Sequence, residues 1–162
     1  MRETTAGVSP DLRYERETEE HIVAVQEGLG RAIAILGERT NVHDASKFLE
    51  PERSGFIAMT SDARLRDLTY GSEEYRAVLA LHQPTVGHHY LVNDHHPEYH
   101  PAGVRGMSLL ALLEMLCDWD AATRRMKDGS LAESLTKNQA RFGYGDELAD
   151  VLRSTARELG ML

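Results

Sequence analysis

Apolar residues recur at steps of three and four along the first third of the chain, and this spacing predicts an amphipathic helix. The pattern spans residues 13–38, and Ser9-Pro10 just before it is typical of a helix start. His21 lies at the edge of the apolar stripe, so we expect it to face the core. The stripe consists of Ile22, Val25, Leu29, Ile33 and Leu36.

Shorter helices are predicted in the middle of the chain. Thr40 or Asn41 can cap one that carries His43 and Asp44. A proline and a glycine bracket its end, at Pro51 and Gly55. The mixed apolar and charged residues 56–70 suit one or two further short helices.

A longer helix is predicted from Gly71-Ser72-Glu73-Glu74, where acidic residues suit the first turn. It should run to about Asn93 with a kink at Pro84. Residues 93–106 have the proline and glycine content of a loop.

The last third of the chain predicts three helices. Ser108 caps the most apolar one, LLALLEMLCDWDAATRRM, which should end near Lys127. Residues 130–141 and 145–160 supply the other two, with a turn at RFGYG between them. Cys117 looks like a core thiol of the apolar helix.

No stretch alternates as a strand would, so the predicted fold class is all-α, a compact single-domain helical bundle. A length of 162 residues favours one domain. We expect residues 1–14 to be a flexible segment and residues 15–162 to form the helical domain.

Charge and cysteine content narrow the function classes. The net charge of −8 argues against an extended nucleic-acid surface or binding to an anionic membrane. No apolar run is long enough to predict a membrane span, and we expect no secretory signal because the first residues lack an apolar segment. The single cysteine, Cys117, fits a reduced, cytoplasmic protein. The sequence does not decide whether the chain forms a homo-oligomer.

Histidines are concentrated in one segment, because six of the eight fall between His82 and His100. Four of them occupy nine residues, in HHYLVNDHH. Such a group is hard to satisfy without a metal, although a polar helix end is the alternative. Neutral imidazoles at pH 7 are good metal ligands.

Asp118 lies in the most apolar helix, where an unpaired carboxylate would cost several kcal/mol. Pairing with a buried cation or amide is one way to remove that cost, and a divalent metal is another. His21 or His43-Asp44 alone would be weak signals, but together with Asp118 they predict a metal site. This mixed nitrogen and oxygen set suits Mn, Fe, Co, Ni or Zn, as one or two ions.

Two further side chains could serve chemistry at this site. Lys47 lies one turn after His43-Asp44 and could hold a phosphate oxygen, or it could be a solvent-exposed lysine. Glu114 lies one turn before Asp118 and could orient or deprotonate a water molecule. No phosphate loop, GxGxxG or HExxH motif is present.

The order His21, His43-Asp44, Asp118 resembles the HD-domain superfamily of metal-dependent phosphohydrolases. HDASK is similar to its HDxxK form, and HHPEY with a following glycine resembles an element of two-metal members. HDASKF, HHYLVNDHHPEYH and EMLCDWDAAT are closer still to a small bacterial and phage family of unknown function. The superfamily resemblance implies metal ligands at His21, His43, Asp44 and Asp118. Two-metal relatives add histidines, best matched by His89, His95 and His96, with His82 or His88 as alternatives to the first.

We therefore expect a metal-dependent phosphohydrolase acting on a small phosphorylated molecule such as a nucleotide, with Lys47 and Glu114 as catalytic residues. A di-iron oxygenase is an alternative, because some members of the superfamily with extra histidines resemble that class. A helical protein that binds metal without catalysis is the third hypothesis. The sequence does not name the substrate.

Overall fold

A computed structural model describes residues 9–68, 72–125 and 128–162, and over these ranges the chain contains helices and turns without a strand. The predicted all-α class is confirmed. The α-helices in these ranges are α1 Pro10–Val42, α2 Glu52–Ser61, α3 Ala63–Asp67, α4 Glu73–Leu81, α5 Gln83–Val92, α6 Leu109–Arg124, α7 Leu131–Phe142 and α8 Asp146–Glu158. None of the described helices is both long enough and apolar enough to cross a membrane.

Two units divide the chain, one ending at His43 and the other beginning at Asp44. The described part of the first unit is α1, which starts where the Ser9 hydroxyl accepts a hydrogen bond from the Leu12 N–H at 3.3 Å. None of the residues of α1 is buried. The His21 side chain on this helix is exposed.

The expected short helix carrying His43 and Asp44 does not form, because α1 continues to Val42. Asp44 then takes a left-handed backbone conformation, with φ of 57°, which a helix cannot continue. A short 3₁₀ helix follows at Ala45–Phe48. Within the second unit this 3₁₀ helix and α5 both pack against α2.

Pro84 separates two helices where a kink was expected. α4 ends at Leu81 and α5 begins at Gln83, with His82 as the cap between them. Proline lacks an N–H and has a fixed φ, so it is tolerated in the first turn of a new helix. The break makes α5 a separate element that carries His89.

Residues 93–106, expected as a loop, contain two short 3₁₀ helices, Pro97–Tyr99 and Gly103–Gly106. Ser108 caps α6 as predicted, and Ser72 caps α4. The predicted turn at RFGYG is confirmed, since Gly143 ends α7 with φ of 65°. The expected helix end near Lys127 and the helix start at Gly71 lie outside the described residues.

A hydrophobic core forms where α6, α7 and α8 meet. Trp119 of α6 stacks on Phe142 of α7, with ring centroids 6.0 Å apart. The Tyr144 hydroxyl donates to the Leu135 carbonyl at 3.1 Å and satisfies its polar atom within the core. Cys117 is exposed rather than part of this core.

Candidate metal centre

Four side chains of the second unit converge at one point, each with a potential ligand atom within 4.8 Å of the others. They are Asp44, His89, His95 and His96. Asp44 lies in the turn before Ala45–Phe48, His89 lies on α5, and the two remaining histidines follow the end of α5. Packing of the 3₁₀ helix and α5 against α2 brings these segments together.

Two imidazoles present the same ring nitrogen to the same oxygen. Nε2 of His89 lies 3.2 Å from Oδ1 of Asp44, and Nε2 of His95 lies 3.5 Å from it. The two histidines are almost fully buried, with 3% and 2% of their surface exposed. This geometry makes Asp44 the centre of the group.

The backbone at Asp44 helps to place its carboxylate. Aspartate is among the few non-glycine residues that adopt the left-handed conformation readily. The Asp44 carbonyl accepts a hydrogen bond from the Lys47 N–H at 2.9 Å, and Oδ2 accepts one from the Lys47 ammonium. Oδ1 is thereby directed to the histidines.

In both His89 and His95, the second ring nitrogen, Nδ1, also contacts a carboxylate. Nδ1 of His89 lies 2.9 Å from Oε2 of Glu52, and Nδ1 of His95 lies 3.2 Å from Oε1 of Glu114. Histidine ligands of metals usually donate their second N–H to such a group, which fixes the ring orientation. The Asp44, His89, His95 and His96 group could therefore hold a metal, with Glu52 and Glu114 as outer partners.

Glu52 is the most buried of these carboxylates, with 1% of its surface exposed. Burial raises the pKa of its carboxyl group, but hydrogen bonds with His88, Ser46 and His89 outweigh it, so the pKa is lowered overall. The group is therefore ionised at neutral pH and accepts hydrogen bonds.

His96 supplies an independent test of whether a metal fits. Burial, together with the nearby His95 and His89, lowers the pKa of its ring to about 3, so the ring is neutral at pH 7. Its Nε2 atom is buried and makes no hydrogen bond with any part of the chain that the structure describes. A buried ring nitrogen without a partner is costly, and a bound metal would remove that cost.

The donor set has three imidazoles and one carboxylate. Such sets suit Zn and the neighbouring transition metals better than Mg or Ca. The chemistry of the residues and the burial of His96 both fit a divalent transition metal.

The remaining predicted ligands are placed as follows. Asp118 is half-buried on α6, and one of its carboxylate oxygens lies within 4.8 Å of an Asp44 oxygen. His21 and His43 belong to the first unit, so their roles as ligands stay predictions.

The two histidines offered as alternatives to His89 have other partners. His82 lies 3.2 Å from Asp62, and His88 lies 2.9 Å from Glu52. Within the described residues, neither of them belongs to the four-residue group, which includes His89 instead.

The two predicted catalytic residues lie beside the group. Lys47 contacts Asp44 and lies over the Phe56 ring, 5.2 Å from its centroid. Glu114 contacts His95, as described above. These contacts leave their catalytic roles as predictions.

Sequence reasoning missed Glu52. It stands in the first turn of α2, where an acidic residue is expected simply from the helix dipole. Its histidine partners stand 36 and 37 positions further along the chain, and nothing local indicates them. In α6 the buried acid is Asp120, which pairs with Arg124 at 2.6 Å.

Neither the curated proteins nor the solved structures contain a match to this chain. A family model does match it, over residues 11–159. The chain therefore belongs to a family of unknown function, DUF5662.

Proposed function

We propose that the protein is a metal-dependent phosphohydrolase that acts on a small phosphorylated molecule such as a nucleotide. One observation carries the proposal: Nε2 of His89 and Nε2 of His95 both point at Oδ1 of Asp44 in a buried, transition-metal type of donor set. The likeness of HDASK and HHPEY to the HD-domain superfamily supports it. Membership of that superfamily is part of the proposal.

In this mechanism four residues bind the metal and Lys47 binds the substrate. Asp44, His89, His95 and His96 would hold the ion. When bound, a divalent metal supplies a Lewis acid and lowers the pKa of a coordinated water toward neutrality. Lys47 holds a phosphate oxygen of the substrate and offsets its developing charge. Its ammonium has three donors, so it can do this while keeping its contact with Asp44.

A groove in the second unit supports a phosphorylated substrate. It is shallow and open to solvent, and Lys47 lies at its wall. Arg53 adds a second cation, while Phe56 and Ile57 supply apolar surface. Because Lys47 contacts both this groove and Asp44, a phosphate there would adjoin the metal centre. The organic part of the substrate would then lie against Phe56.

A non-catalytic metal-binding protein is the second candidate, and the burial of the site favours it. Three histidines and one aspartate are enough to complete a four-coordinate structural site. His89, His95 and His96 are all buried, as in sites closed to water. Catalysis requires a coordination position that stays open to substrate.

The experiment that tests the proposal is metal analysis of the purified protein followed by a phosphate-release screen. We expect one or two equivalents of Mn, Co, Ni, Zn or Fe in the native chain, and less than half of that in His96→Ala. His100→Ala is the matched control, because His100 bonds to the Asp94 carbonyl and lies outside the four-residue group.

The metal-loaded native chain should release phosphate from a nucleotide or a sugar phosphate, and Lys47→Met should lose activity while keeping its metal. Metal binding without phosphate release would favour the non-catalytic candidate. Two equivalents of iron with oxygen-dependent turnover would favour a di-iron oxygenase. A native chain without affinity for these metals would refute all three.

The class of ligand and the cellular location are proposed from the sequence. The net charge of −8 supports a small ligand over an extended nucleic acid. A single cysteine supports a reduced, cytoplasmic location.

A further inference from the structure

Glu52 lies between two neighbouring histidines of α5 and touches both. Its Oε1 atom is 2.9 Å from Nδ1 of His88, and its Oε2 atom is 2.9 Å from Nδ1 of His89. The side chain is buried with 1% of its surface exposed, whereas His88 is half-exposed. An acidic group in such a place is costly unless donors surround it.

The donors around Glu52 can be accounted for one by one. The Ser46 hydroxyl donates to Oε2 of Glu52 at 2.8 Å. The Asn93 amide then donates one N–H to the Ser46 oxygen at 2.9 Å and the other to the His89 carbonyl at 2.8 Å. Both N–H groups of Asn93 are thereby used.

This network decides which nitrogen of His89 carries the proton. Asn93 also lies 3.0 Å from Nδ1 of His89, but it has no N–H left to donate there. A bare Nδ1 would also face a carboxylate oxygen, lone pair against lone pair. When Nδ1–H of His89 donates to Glu52, Nε2 presents its lone pair toward Oδ1 of Asp44, 3.2 Å away, and a cation bound by both atoms would remove the repulsion between their lone pairs.

We propose that Glu52 is a positioning residue of the metal centre, which holds His89 in the Nδ1–H tautomer and in the orientation that offers Nε2 to a divalent transition metal. The inference rests on the metal centre of the proposed function and not on hydrolysis. Glu52 touches neither the ion nor the substrate. It acts through His89.

The first test needs no substitution. Nitrogen-15 NMR of the Zn²⁺-loaded native protein distinguishes the two imidazole tautomers, and we expect His89 to carry its proton on Nδ1. A proton on Nε2 would overturn the proposal, and this outcome stays measurable even where a Glu52 variant fails to fold.

The second test measures affinity for Co²⁺ and Zn²⁺ in Glu52→Gln, which keeps the size of the side chain and removes its charge. Loss of such an outer partner typically weakens metal binding about 10- to 100-fold, and we expect a loss in that range. The visible spectrum of bound Co²⁺ should also change, because the ring of His89 is no longer held.

Glu50→Gln is the matched control, since Glu50 is exposed and bonds to Ser54. It should bind metal as the native chain does. A Glu52→Gln protein that is less stable but binds Co²⁺ with native affinity and spectrum would show a merely structural role and refute the proposal.

The outcomes separate this inference from the hydrolase proposal. Weakened metal binding in Glu52→Gln, together with no phosphate release by any variant, would leave the positioning role standing and remove the reaction. A native chain that binds neither metal would remove both.

Discussion

Asp44 combines two demands that few residues meet together. Its backbone takes a left-handed conformation, and its carboxylate faces two histidine nitrogens and a lysine. Residues in such sparsely populated backbone regions are concentrated at functional sites. The conformation and the contacts therefore point to the same role for this position.

The substitution Asp44→Asn should separate the role of the left-handed backbone from the role of the carboxylate. Asparagine tolerates the left-handed conformation nearly as well, so we expect the free energy of unfolding of the metal-free protein to fall by about 1–3 kcal/mol, from the weaker contact with Lys47. Metal affinity should fall by at least the roughly 10-fold that loss of an outer partner costs. Calorimetric titration with Zn²⁺ measures the second effect, and urea unfolding the first.

Asp150→Asn on α8 is the matched control, because its side chain is 79% exposed and far along the chain from the ligands. Native Zn²⁺ affinity in Asp44→Asn would show that this carboxylate is not a ligand.

The sequence could predict the metal-binding segment but not its outer partners. Four histidines in nine residues indicate an unusual site wherever the chain folds, whereas Glu52 resembles any acid in the first turn of a helix. In α6 the run LLALLEMLC is apolar at every position except Glu114, so its pattern does not define the buried face. The sequence therefore predicts a buried Cys117, whereas the structure shows it exposed.

At the scale of elements, α2 and α5 meet at a glycine. A Cβ atom added to Gly55 would lie 1.9 Å from Oγ1 and 2.7 Å from Cβ of Thr85. The second distance involves an atom fixed to the backbone, so rotation of the side chain cannot relieve it. The glycine that was expected to end a helix instead lets two helices approach closely.

Gly55→Ala should therefore destabilise the protein by about 1–3 kcal/mol, as overpacking does. It should also weaken metal binding, because α2 carries Glu52 and α5 carries His89. Thermal unfolding and Zn²⁺ titration measure the two effects. Gly30→Ala in α1 has nothing within 4 Å of the added atom among the described residues, and should instead raise stability by about 1 kcal/mol.

A Gly55→Ala protein as stable as the native chain would show that α2 and α5 do not pack as described.

Helix starts followed from local chemistry and could be predicted. The Ser9, Ser72, Ser108 and Ser130 hydroxyls each accept a backbone N–H two or three positions into their helices. Helix ends were harder to predict, because α1 extends to Val42 and α4 stops before Pro84. Those ends depend on the turn at Asp44 and on contacts distant in sequence.

At the scale of the whole molecule, the ligands come from separate elements of the second unit, so an ion would tie those elements together. A ligand that binds the folded chain alone stabilises it by about 2.7 kcal/mol when its concentration is 100 times its dissociation constant. Zn²⁺ or Co²⁺ should therefore raise the unfolding temperature by several degrees.

Two controls accompany this measurement. Mg²⁺ should give little stabilisation, because it prefers oxygen ligands. His96→Ala should lose most of the increase with Zn²⁺. Equal stabilisation of the native chain and His96→Ala would place the ion elsewhere.

The four converging side chains also have an order along the polymer. Asp44, His89, His95 and His96 all precede Val104, the first residue of the hydrophobic core. A ribosome making this protein therefore synthesises every ligand of the group before α6, α7 and α8. Glu114, which holds His95, emerges only with α6. An ion bound by the growing chain would therefore be held with lower affinity at first. The affinity would rise once α6 folds and Glu114 contacts His95.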